Sequence, residues 1–148
     1  MKRYQIINFH HLLSRIDLQK VERDARARLI ALDITLGDIV DAHDDEVQKI
    51  KARLSKGHEE EIREVSLLYA ELESADDRKA VLDKIAQHAV YNEIQRQFED
   101  EVNRRLAEDV VAEIDRISSN DLAQWCADSG VGITLDQLRE LRKNGLTA

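Results

Sequence analysis

Proline is absent from all 148 residues. At the usual frequency of ~5% about seven would be expected. Proline removes a backbone donor and clashes with the preceding helical turn, at a cost of about 3 kcal/mol inside a helix. A chain without it is free to run as helix almost throughout. Aromatic residues make up only 4%, which argues against a thick core of rings and suits slim helices packed through Leu, Ile, Val and Ala. The single cysteine, Cys126, leaves no internal disulfide and fits a reducing compartment. No apolar run approaches the ~20 residues that cross a bilayer. The stretch Met1–His11 is charged at Lys2 and Arg3 but lacks a continuous apolar run and a cleavage pattern. Together these absences predict a soluble, cytoplasmic protein with no membrane partner.

What is present is charge and helical periodicity. Apolar residues make up 43% and charged residues 35%, and the net charge is −8. Residues 1–34 carry seven Lys/Arg against four Asp/Glu, whereas the rest carry fifteen against twenty-six. An acidic body of that size repels phosphate backbones and anionic membranes. The basic segment (Arg15, Lys20, Arg23, Arg26, Arg28) has an ordinary use in pairing with acidic helices of its own fold or of a second copy.

The pattern predicts an all-α, elongated helical bundle with long coiled-coil-like helices and a small C-terminal hairpin. A first helix begins within residues 3–12 and runs to about Asp33, with a stripe of Phe9, Leu13, Ile16, Leu18, Val21, Ala25, Leu29 and Leu32. Thr35-Leu36-Gly37-Asp38 reads as a capping box, and Gly37 as a break. A second helix over 36–56 has a heptad seam of Val40, Val47 and Leu54 against His43 and Ile50. Gly57 ends it, and Glu59, Glu60 and Glu61 open a third helix at the end of the dipole that favours anions. The longest pattern spans 75–117, where Val90, Ile94, Phe98, Val102, Leu106, Val110 and Ile114 recur every fourth residue. As one helix it would be about 65 Å long, against a diameter of about 40 Å for a compact chain of this size. Its apolar stripe would then need a second copy to cover it, hence a homodimer.

The tail reads as two short helices. Ser118-Ser119-Asn120-Asp121 opens one through Leu122, Trp125 and Cys126, and Thr134-Leu135-Asp136-Gln137 is a complete capping box for the other, which Gly145 closes. Domain organisation is therefore predicted as a long-helix oligomerisation region (1–117) and a helix-turn-helix-like hairpin (118–148).

Chemistry-bearing motifs are sparse. None of His10, His11, His43, His58 and His88 has the Glu three residues earlier that helical two-metal bundles use. His-Glu-x-x-His, Cys/His ligand sets, Gly-x-Ser-x-Gly and phosphate loops are also missing. Cys126 beside Trp125 reads as a buried, inert thiol. No catalytic, cofactor or metal residue is expected, and the chain reads as non-enzymatic. The hairpin invites a DNA-binding reading, but residues 118–148 hold four acids against three bases, where groove binders carry a basic footprint. Nucleic acid is therefore the disfavoured partner.

The reading that remains is a protein-interaction module (adaptor, assembly factor or inhibitor of another protein) working as a homodimer. A DNA-binding regulator with a helical dimerisation region is the alternative, and a helical metal enzyme a third. The expected partner contacts are Tyr4, Phe9, Leu13, Ile16, Arg15, Arg23, Arg26 and Trp125. The expected oligomer seam is Val40, His43, Val47, Ile50 and Leu54 with Ile94, Phe98, Val102, Leu106, Val110 and Ile114.

Overall fold

Helices account for every regular element in the computed structural model, which describes residues 1–148. They are α1 (Arg3–Leu13), α2 (Arg23–Ser55), α3 (Glu59–Leu72), α4 (Arg78–Ala86), α5 (Ala89–Leu106), α6 (Ser119–Asp128) and α7 (Leu135–Lys143), with a single 3-10 turn at Leu18–Lys20. No helix is long and apolar enough to cross a membrane. The all-α class follows from the sequence; three boundaries do not.

The first correction concerns the helix expected to run unbroken to Asp33. It stops at Leu13, where the Ser14 hydroxyl donates to the His11 carbonyl at 2.9 Å. Asp17 then turns the chain, its carboxylate accepting from the Gln19 N–H at 3.0 Å while its own N–H donates to the Ser129 hydroxyl at 2.9 Å. Short polar side chains offer the backbone such alternatives to a helix. The step from Ile16 to Leu18 matches neither helical spacing, and Leu18 is exposed whereas Ile16 and Val21 are buried.

The second correction is at Gly37, where no break occurs. Helix α2 passes through it for 33 residues. A glycine there forfeits only about 1 kcal/mol of helix propensity. Leu29, Leu32 and Leu36, all 2% exposed or less, anchor the helix before it, and the buried Val40 and His43 anchor it after. His10 packs against the bare Cα, its Nε2 lying 3.4 Å from where a Cβ would stand.

The third correction removes the 43-residue rod. The pattern is cut at Gln87-His88, where His88 Nδ1 accepts from the Tyr91 N–H at 3.3 Å and caps α5. The Asn92 amide donates back to the Ala86 carbonyl at 2.8 Å, closing the end of α4. Between Leu106 and Ser119 the chain is not helical. The Arg3 N–H donates to the Glu108 carbonyl (3.0 Å) and the Val110 N–H to the Met1 carbonyl (2.8 Å). Further on, the Ala148 N–H donates to the Ile117 carbonyl (2.9 Å). These partners, distant in sequence, tie down both ends of residues 107–117 through isolated bridges at Asp109 and Ile117, and the β-branched Val110, Val111, Ile114 and Ile117 lower the local helix propensity.

Other predicted ends hold. Gly57 adopts φ +83° after α2, a left-handed turn that side chains disfavour. Glu59, Glu60 and Glu61 open α3. Ser118 caps α6 through the Asp121 N–H at 3.0 Å, and Thr134 and Gln137 form a reciprocal capping box on α7.

Contacts divide the chain into two compact units, Met1–Asp44 with Leu106–Ala148, and Asp45–Arg105. In the first, one core joins Ile6, Phe9 and Leu13 of α1, Leu29, Leu32 and Leu36 of α2, and Leu122, Trp125 and Cys126 of α6 with Leu146. The hairpin 118–148 thus shares a core with the N-terminal helices, and the division falls after Asp44 and Arg105 rather than at residue 117. The second unit has a smaller core of Val65, Val81 and Ile85, where α3 and α4 pack together.

Candidate partner-binding surface

Helix α1 is amphipathic in the strict sense. Ile6, Phe9 and Leu13 point into the first unit's core, and Tyr4, Asn8, His11 and Arg15 remain on the other side or at its edge. That outer side faces α7, which the Thr134–Gln137 capping box starts and Gly145, at φ +75°, ends. Between them lies a groove of about 280 Å³ lined by Tyr4, Phe9, Leu12, Leu141 and Leu146, with His11, Arg15, Gln137 and Glu140 at its rim. Tyr4 is 45% exposed there, an aromatic ring standing in solvent at the edge of an apolar hollow.

The expected partner contacts separate into two sets. Phe9, Leu13, Ile16 and Trp125 are core residues, each 7% exposed or less. Their role as surface anchors is therefore corrected: all four side chains belong to the first unit's shared core. The Trp125 indole N–H donates to Glu22 Oε2 at 3.0 Å, satisfying the one polar atom that burial would otherwise strand. That bond, second to one from Glu22's own backbone N–H, holds the Glu22 carboxyl below its usual range. Tyr4, Arg15 and Arg23 remain exposed. Arg26 folds back, its Nε donating to the Val21 carbonyl at 2.8 Å.

Charge is the second property of the N-terminal segment, which reaches the groove through Arg15. Arg15, Lys20, Arg23, Arg26 and Arg28 make no ion pair within the chain. The basic segment is therefore not neutralised by its own fold. Arg15 also lies close enough to Cys126 to oppose, weakly, the burial that pushes the thiol's pKa up. With its thiol fully covered, Cys126 has neither the access nor the charge state of a nucleophile.

The expected oligomer seam is largely consumed inside the chain. Val40, His43 and Ile50 are buried. Val47 is half-buried, as are Val110 and Ile114 in the extended segment and Val102 and Leu106 on α5. Leu54 of α2 and Ile94 and Phe98 of α5, expected in the oligomer seam, line one groove of about 320 Å³ in the second unit, with Ile62 and Tyr91. Arg53 pairs with Glu101 across the same two helices. Heptad-like spacing marks these residues as helix-facing; it carries no information on whether the facing helix belongs to the same copy.

Two of the histidines, His88 and His10, serve local structure. His88 caps α5 and meets Glu64 at 3.0 Å, and His10 meets Asp33 at 3.3 Å. No three or more His, Cys, Asp or Glu side chains gather as a metal-binding set. Sequence reasoning missed Leu12, Leu141 and Leu146 as groove walls. The available signal was the amphipathic pattern of Leu135, Leu138 and Leu141 on a well-capped helix too short to bury every leucine. Compared with protein-family models, curated proteins and solved structures, the chain matches none.

Proposed function

We propose that this protein is a non-enzymatic interaction module that docks another protein in the α1–α7 groove and works as a homodimer. The observation that carries this reading is the hollow itself, walled by leucines, with Tyr4 at its mouth and the unpaired Arg15 on its rim. Exposed aromatics and arginines beside an apolar pocket are what binding hot spots are made of. The occupant that fits is an amphipathic helix whose apolar stripe enters the groove and whose acidic flank meets Arg15. Glu140 lines the same rim and Arg139 on α7 is tied to Asp136 at 3.2 Å. Both features favour a protein partner over a phosphate backbone.

The test compares capture by the full-length chain with capture by a Tyr4→Ala/Arg15→Glu variant in native extract. A dominant acidic-helix partner retained by the first and lost by the second supports the reading. Equal capture by both, or none by either, overturns it.

A further inference from the structure

An ordered apolar surface of the first unit lies open on α2, on the side opposite its buried stripe. Leu29, Leu32 and Leu36 are 2% exposed or less, whereas Ile30 is 43% and Ile34 59% exposed. At about 100° of rotation per residue, Arg23, Ala27, Ile30, Ala31, Ile34, Asp38 and Asp41 fall within an arc of roughly 100°, and all seven are exposed. Scattered exposed isoleucines are ordinary; this face is ordered. It carries a cation at its N-terminal end, alternating small and large apolar residues in the middle, and anions at its C-terminal end. Arg23, Asp38 and Asp41 make no ion pair within the chain.

That order is complementary to itself reversed. A twofold axis passing between Ile30 and Ala31 sets Ile30 opposite Ala31, Ala27 opposite Ile34, and Arg23 opposite Asp38, with Asp41 one turn away. Each large side chain meets a small one and each charge meets its opposite, on both sides of the axis, which is what an isologous interface requires. The ridge is also flanked by hollows that the same unit forms. Ile30 shares one of about 470 Å³ with Leu13, Ile16 and Leu18, and Ala31 borders another of about 530 Å³ beside Ile114. A second ridge lying antiparallel thus has grooves to enter. We infer that α2 pairs antiparallel with α2 of a second copy through this face.

The inference rests on the dimeric part of the proposed function and moves the dimer contact from the α5 stripe to the outer face of α2. From Arg23 to Asp38 the ridge is about 22 Å long, which is short of the contact a tight interface buries. The dimer is therefore expected at micromolar rather than nanomolar concentration.

Sedimentation of the full chain from 1 to 300 µM tests it, with circular dichroism to check that each variant is folded. The wild type should approach twice the 17.0 kDa monomer mass. Symmetry counts every substitution twice, so Ile34→Lys should raise Kd tenfold or more, and Arg23→Asp should do likewise. The swap Arg23→Asp/Asp38→Arg should restore association to within about threefold of wild type. A wild type that stays monomeric throughout overturns the inference and the dimeric reading together. A dimer indifferent to Ile34→Lys, or not rescued by the swap, overturns this face alone. Ile34→Lys alters neither the α1–α7 groove nor any of the expected partner contacts, so partner capture is scored independently on that variant.

Discussion

Trp125 and Glu22 stand 103 positions apart in sequence and share one hydrogen bond. Because Glu22's carboxyl is held below its ordinary value by its own backbone N–H and by the indole, the sign of its effect is fixed. Its contribution to the fold is complete above the ordinary carboxylate range and is lost as pH falls through the depressed value. Trp125 is the only tryptophan, so its emission reads this bond without interference. Acidification should produce a fluorescence step below the usual carboxylate range, and Glu22→Gln, which keeps an acceptor but cannot titrate, should abolish it. An unchanged acid profile in that variant would remove Glu22 as the cause. Glu93, held at about 2 by Arg96 and then Gln97, makes a useful contrast. Both partners are solvated, so the larger shift carries little stability.

At the scale of elements, Gly37 is the sharpest case. It sits mid-helix with ordinary contact room for a Cβ, the nearest atom being His10 Nε2 at 3.4 Å. Gly37→Ala should therefore stabilise the protein, by up to about 1 kcal/mol, read as a higher urea midpoint at unchanged slope. Gly57→Ala should cost about as much, because φ is +83° there. The caps and stops of α3, α6 and α7 were legible because they depend on residues three or four positions apart. The ends of α1, α4 and α5 were not. Asp17 turns the chain by bonding across to Ser129, and the segment after Leu106 leaves the helix where its backbone partners become Met1, Arg3 and Ala148. No local period reports a partner a hundred residues away. The candidate groove was half legible for the same reason: α1 displayed its outer face in sequence, but only the fold brings α7 beside it.

For the whole molecule, the two units differ in what they bury. The first gathers fourteen buried apolar residues into its core and the second only Val65, Val81 and Ile85. Helix α5 buries none of its side chains fully. Local stability follows buried apolar contact, so amide hydrogen exchange should be faster across α3, α4 and α5 than across α1, α6 and residues 29–36 of α2. Uniform protection over both regions would contradict that ordering.

Continuity along the chain differs as sharply. Asp45–Arg105 is one uninterrupted stretch, whereas its companion is assembled from residues on either side of it. Leu122, Trp125 and Leu146 are central to that companion's interior, and all three emerge late from the ribosome. Synthesis therefore delivers the smaller, weaker body whole while Phe9 and Leu36 still wait for the side chains that will enclose them. During that interval the greasy inner side of α1 has only the leucines of α2 to cover it, and the vulnerable moment in this protein's life belongs to its better-packed half.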